Sequence, residues 1–188
     1  MNYIKEEQYE ELFGSMHPGF FEQQYIKDRG EDEVYEEMIL PLDGFIENEL
    51  DYPGGVTYGL YTGSIQDLRE IVREVVEGWP PFFNEGDRIY CGFCGDEIAS
   101  FCIIEDMGEH ELDGKLIKIG GPGCVGTVSG YRRQGIGLKM VQDVTRILKD
   151  EGYDISYIHY TGVAHWYAKL GYQSILKWDR HGILKTSD

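Results

Sequence analysis

A chain of 188 residues with 41% hydrophobic and 13% aromatic residues carries enough apolar surface for one core. That excludes global disorder and fits one domain, or one domain with an extension. A formal net charge of −17 repels phosphate backbones and argues against a DNA or RNA partner; it keeps the chain soluble and would draw in a cationic substrate.

The charge is uneven. Residues 1–54 hold 15 acids and 3 bases, whereas residues 55–188 hold 19 and 14. No apolar run approaches bilayer length, and the first eleven residues, with Lys5 and four glutamates, lack the apolar stretch of a secretory signal. A soluble, cytoplasmic protein with no membrane partner is expected, its cysteines reduced. The strongest breaker is DYPGG at 51–55. It separates an acidic, partly helical extension, 1–54, from a main domain, 55–188. Within the extension Val34, Tyr35, Met38, Ile39 and Leu42 recur at helical spacing, which predicts a helix over 31–40 ended by Pro41. Phe13, Phe20 and Phe21 need cover, so the extension is expected to pack on the main domain.

Past the breaker, 56–61 reads as a strand. Ser64 and Asp67 can cap a helix whose stripe is Leu68, Ile71, Val72, Val75 and Val76. Residues 88–93 and 98–105 read as strands joined by a turn at Cys94-Gly95-Asp96. Another strand starts at 116–119 and runs toward Val128. A helix over 136–150 follows, closed by Gly152, then a strand over 154–160, a short helix ending at Gly171, and a strand over 174–178. This order gives an α/β (α+β) fold: a mixed, mostly antiparallel sheet flanked by helices, with one strand–helix–strand crossover.

The stretch 125–138, VGTVSGYRRQGIGL, leaves a strand, passes a basic glycine turn and opens a helix. A helix N-terminus presents unpaired N–H groups and partial positive charge, glycines allow close backbone approach, and Arg132 and Arg133 add forked donors. The combination makes a pyrophosphate cradle. Within it Arg132, Gly135 and Gly137 spell R-x-x-G-x-G, which resembles the acetyl-CoA signature of the GNAT N-acetyltransferase superfamily. Tyr167 in WYAKLGY (166–172) resembles that family's aromatic-Tyr-x-x-x-Gly-aromatic segment. The resemblance spans about 56–178 in element order and leaves the first 54 residues outside. Ser129 stands where the family's proline is usual, and Tyr160 where an asparagine is often found. The resemblance implies a GNAT-like fold whose crossover carries the acetyl-CoA site. The cosubstrate would be held by Val125, Thr127 and Val128 on the strand, and by Arg132, Arg133, Gln134, Gly135, Ile136, Gly137 and Leu138 in the turn and helix start. Acetyl transfer to a primary amine would be direct, with a strand N–H near 125–128 facing the oxyanion. Tyr167, protonated at neutral pH with a reference pKa of about 10, is the candidate proton donor.

For the base, 116–128 offers no Asp or Glu, so His159 is the candidate. Glu105 and Asp106 follow it, read otherwise as solvated turn acids, and His165 reads as a surface residue. Cys91 and Cys94 form a lone C-x-x-C without a second ligand pair, so no metal is expected. Cys102 and Cys124 read as buried strand thiols. Gly121, Gly123 and Gly126 spell a dinucleotide fingerprint, but strand and turn follow where it needs a helix. The acceptor reads as a small or peptidyl amine, cationic if the charge bears on it. The oligomeric state is open, with a dimer among the choices. A domain of the same fold that binds acetyl-CoA without catalysis, and an oxidoreductase on the glycine strand, are the competing readings.

Overall fold

In the computed structural model, which describes residues 4–184, the strands form one eight-stranded sheet. In chain order they are β1 (Tyr35–Pro41), β2 (Val56–Leu60), β3 (Ile89–Cys94), β4 (Glu97–Leu112), β5 (Lys115–Thr127), β6 (Ile155–Thr161), β7 (Gln173–Asp179) and β8 (Gly182–Ile183). Across the sheet they run β2-β3-β4-β5-β6-β1-β7-β8. Neighbours are antiparallel except β5 and β6. The helices are α1 (Tyr9–Met16), the single turn α2 (Gln24–Lys27), α3 (Ile65–Val75), α4 (Ile136–Asp150) and α5 (Ala164–Tyr167). Among the described residues no helix is long and apolar enough to cross a membrane.

The period-two alternation of the strands sorts the core into two layers. On β4, Cys102 and Ile104 face α4, where Met140, Val141, Val144 and Leu148 cover them. Phe101 and Ile103 face the other way, toward Leu68 and Val72 of α3. Beside α3, Leu12 of α1 covers Ile117, Ile119, Ile155 and Tyr157. The expected mixed sheet is therefore present, and its crossover is β5–α4–β6. Ser64 caps α3 as expected, its hydroxyl accepting from the Asp67 N–H at 3.4 Å.

The helix expected over 31–40 is instead β1. Glu37 to Leu40 is buried on consecutive positions: Met38 and Leu40 enter the α4 layer and Ile39 the α1 layer. A strand covered on both faces shows an unbroken apolar run, which periodicity cannot tell from a buried helix. β1 lies inside the sheet between β6 and β7, so part of the acidic N-terminal stretch shares a sheet with the rest.

Two irregularities open the centre of the sheet. β5 and β6 pair at Ile119–Ile155 and Gly120–Ser156, then separate. Just beyond, β5 bulges: Phe101 pairs with Gly126 but Ile103 with Gly123, and Cys124 takes φ +47°. The fingerprint glycines of this strand answer to close neighbours. A Cβ at Gly121 would strike the Tyr157 carbonyl oxygen, and one at Gly123 the Glu105 carboxylate.

Candidate active site

On the α4 side a groove of about 360 Å³ runs from the turn before α4 to the divergence of β5 and β6. Its lining includes Val125 and Thr127 of β5, Arg132 and Arg133 of the turn, Gly135, Ile136, Gly137 and Leu138 at the start of α4, and Tyr167. The fold thus gathers Tyr167 with eight of the ten residues expected around the cosubstrate. Val128 and Gln134 fall outside. The Val128 N–H is spent on the Ala99 carbonyl at 3.0 Å, and the Gln134 side chain turns back to the Gly130 carbonyl at 3.1 Å. Tyr131, Val163, His165 and Trp166 also line the groove. His165, exposed as expected of a surface residue, had no spacing signal to link it to the glycine turn. Trp166, next to Tyr167 in the quoted segment, could have been found.

Local structure holds this groove in shape. Gly135 opens α4 in the left-handed region (φ +80°). The Tyr58 hydroxyl donates to the Ile136 carbonyl at 3.2 Å, tying the helix start to β2. Arg132 Nε donates to the Thr127 carbonyl at 3.0 Å; both arginine side chains are exposed. The first-turn N–H groups of a 15-residue helix lack intrahelical acceptors and sit at its positive end. Residues of this chemistry fit a pyrophosphate.

Tyr167 is buried at 6% exposure, and burial, with Tyr172, Cys102 and Cys124 nearby, pushes its hydroxyl well above the usual tyrosine range. Burial also pushes the Cys91 and Cys124 thiols up to about 12 and Cys102 well above its ordinary value. These stay protonated, poor nucleophiles, and all four cysteines are free.

His159 is not in the groove. It projects from β6 on the same face as Tyr157, opposite α4, beneath the N-terminal segment. Its ring stacks on His17 (centroids 3.8 Å, planes 15° apart) and meets Phe20 edge-on at 5.2 Å. Its Nδ1 is 2.9 Å from the Glu37 carboxylate. Glu105 shares this face of the sheet. It is not a solvated turn acid: it sits half-buried on β4 with its carboxylate over Gly123, and burial raises its pKa against the lowering effect of His159. Asp106 also lies within β4 and not in a turn; it is exposed and accepts from the Gly108 N–H at 2.9 Å where β4 shifts register against β5. A cleft of about 400 Å³, lined in part by Phe82, Asp87, Glu105 and Met107, opens beside Glu105.

His17, Glu37 and His159 bring potential ligand atoms within 4.8 Å of one another. The two rings, stacked nearly parallel, hold their in-plane lone pairs in separate layers. A shared metal ion would require one ring to turn.

A GNAT acetyltransferase domain model matches residues 61–175. No curated protein matches the chain. Among solved structures, a GCN5-related glucosamine N-acetyltransferase region of a fungal multi-domain GH3 β-N-acetylglucosaminidase superposes with TM-score 0.63 at 22% identity, over 80% of this chain and 20% of that one. A GCN5-related N-acetyltransferase from Kribbella flavida gives 0.54 at 18%, over 78% and 56%. One from Sphaerobacter thermophilus gives 0.54 at 19%, over 75% and 48%. The chain therefore spans a fifth to about half of these proteins, and at such identities the likeness shows the fold. With the family model covering well over half the sequence, and with the groove and sheet described above, the chain belongs to the GNAT acetyltransferase family.

Proposed function

We propose that this acetyltransferase takes its acetyl group from acetyl-CoA and passes it directly to a primary amine. The observation that carries the reading is the groove that joins the N-terminal turn of α4 to Tyr167 and the gap between β5 and β6. Acetyl-CoA, when bound, supplies a thioester whose acetyl carbon an amine can attack, with the CoA thiolate leaving. Arg132, Arg133 and the free N–H groups of α4 would hold its pyrophosphate. The bulge at Cys124 leaves part of β5 outside the sheet ladder, which provides backbone donors for the carbonyl oxygen as it gains charge. Tyr167 keeps its proton at neutral pH. Its raised pKa makes it a weak acid, so its first task is a hydrogen bond to the departing sulfur. The thiols of Cys91, Cys102 and Cys124, whose pKa values burial raises, argue against an acyl-enzyme on those sulfurs. The net charge of −17 favours a cationic acceptor by long-range attraction.

Calorimetry with acetyl-CoA, on the wild type and on a folded Arg132→Glu, Arg133→Glu variant, tests the cosubstrate. Saturable binding lost in the variant supports the groove; a folded wild type giving no heat at millimolar acetyl-CoA overturns the reading. Amine-dependent release of free CoA across a panel of amines then tests catalysis. Rates that are indifferent to salt and to amine charge would refute the cationic acceptor.

A further inference from the structure

We infer that Glu37, from the N-terminal segment, positions His159 to take the proton from the acceptor amine, on the face of the sheet opposite the acetyl-CoA groove. This rests on the acetyltransferase reading and goes beyond it, because it locates the acceptor and gives β1 a catalytic purpose.

Position comes first. The last paired residues of β5 and β6 are Gly120 and Ser156. His159 lies three residues beyond Ser156 and Cys124 four beyond Gly120, so the imidazole stands level with the bulge across the gap. The groove with Tyr167 is on the α4 side, whereas His159, Glu105 and the cover of α1 are on the other. A donor and an acceptor entering from opposite faces meet at the gap without competing for one channel.

Orientation comes next. Glu37 is fully buried and accepts three hydrogen bonds. Trp178 Nε1 at 2.7 Å and the Tyr160 N–H at 3.2 Å reach Oε1, and His159 Nδ1 at 2.9 Å reaches Oε2. Burying a carboxylate is costly unless its oxygens are paired, and here they are. A carboxylate only accepts, so Nδ1 carries the imidazole proton and Nε2 keeps the lone pair. No hydrogen bond to Nε2 is seen among the described residues. The backbone is irregular at both partners. β1 shifts register at Glu37–Met38 against β7 and at Glu36–Met38 against β6, and Tyr160, a non-glycine residue, takes φ +57°. Bulges re-aim side chains, and strained backbone gathers at functional sites. His17 then fixes the plane of the ring by stacking, and burial holds His17 neutral, with a pKa of about 4, so it adds no charge against a protonated His159.

As the neutral amine nitrogen forms the C–N bond, the proton it sheds passes to His159 Nε2. The C–S pair leaves with sulfur, which takes up a proton in turn. The net products are one amide and one thiol, and the histidine returns its proton to solvent. His159 is the catalytic residue here and Glu37 the positioning residue.

Steady-state acetylation of an amine found active with the wild type, read beside calorimetric binding of acetyl-CoA, tests this on the full chain. His159→Ala should lower kcat by about 10²-fold or more while the acetyl-CoA Kd holds, and added imidazole should restore part of the rate. Glu37→Gln should lower kcat by about tenfold or more, since the amide cannot hold the same tautomer, with Kd and the amine KM little changed. If Glu37→Gln fails to fold, His159→Ala with imidazole decides. Full kcat in His159→Ala overturns the proposal, as does loss of activity in Glu105→Gln alone. Zinc binding that His17→Gln abolishes, with no kcat effect from His159→Ala, would assign the cluster to a metal instead. A wild type that binds no acetyl-CoA defeats the underlying acetyltransferase reading, which the calorimetry separates from failure of the dyad.

Discussion

Tyr167 and the glycines of β5 show how much a single position controls here. Tyr167→Phe removes only a hydroxyl from a buried ring, so fold and acetyl-CoA affinity should survive. We expect kcat to fall by roughly 10²-fold with the calorimetric Kd unchanged, measured as CoA release under saturating substrates. Gly121 and Gly123 look alike in the sequence but meet different neighbours. Alanine at 121 drives its Cβ into the Tyr157 carbonyl, which the sheet holds in place. A loss of about 1–3 kcal/mol is expected in urea unfolding. Alanine at 123 meets the far end of the Glu105 side chain, which can swing aside. Stability should fall less, and the amine KM should change more, because the displaced carboxylate lies on the face proposed for the acceptor. Equal stability losses at the two positions would contradict this account.

At the scale of elements, the docking of α1 on the second face of the sheet links stability to pH. His17 follows α1 directly, and its pKa is lowered from 6.5 to about 4, first by burial and then by His159. Its folded pKa lies below the unfolded one. Between pH 6.5 and 4 the unfolded chain therefore binds more protons, and stability drops as pH falls through that window. Above it the contribution is complete. Thermal unfolding of His17→Gln should show a shallower loss than the wild type between those values, and parallel curves would show that His17 does not couple α1 to pH. The helices themselves were legible where a stripe and a cap coincide. Ser64 before α3, and the glycine turn before α4 with Gly152 after it, lie on an amphipathic period. α1 carries Tyr9, Leu12, Phe13 and Met16 at helical spacing, but in 8 residues the stripe lasts only about two turns, short of the window in which periodicity decides.

Across the whole molecule, the N-terminal stretch is structural as well as acidic. β1 supplies the neighbour of both β6 and β7, so removing it would leave two facing sheet edges unpaired and expose the apolar sides of Ile158 and Tyr157. A fragment beginning at Gly55, where the breaker 51–55 would divide the chain, is expected to show no cooperative unfolding transition by circular dichroism. A cooperative fragment with native-like stability would mean that β1 is dispensable.

The amino-acid order alone showed the family resemblance, the crossover and the glycine-arginine turn proposed to hold the cosubstrate. Each of these rests on neighbours close in the chain: strand, glycine-arginine turn and helix start lie within 125–138, and Tyr167 falls in its own short segment. Such local patterns write their chemistry directly into spacing. The tertiary structure alone decided what β1 is and what it touches. Met38 to Leu40 could have been helix or strand until cover on both faces selected a strand. Glu37 meets His159 across 122 positions, and Glu105 meets Gly123 through sheet pairing. No local spacing encodes a contact between residues so far apart; it arises when burial of the apolar run draws β1 between β6 and β7 and carries Glu37 to the imidazole.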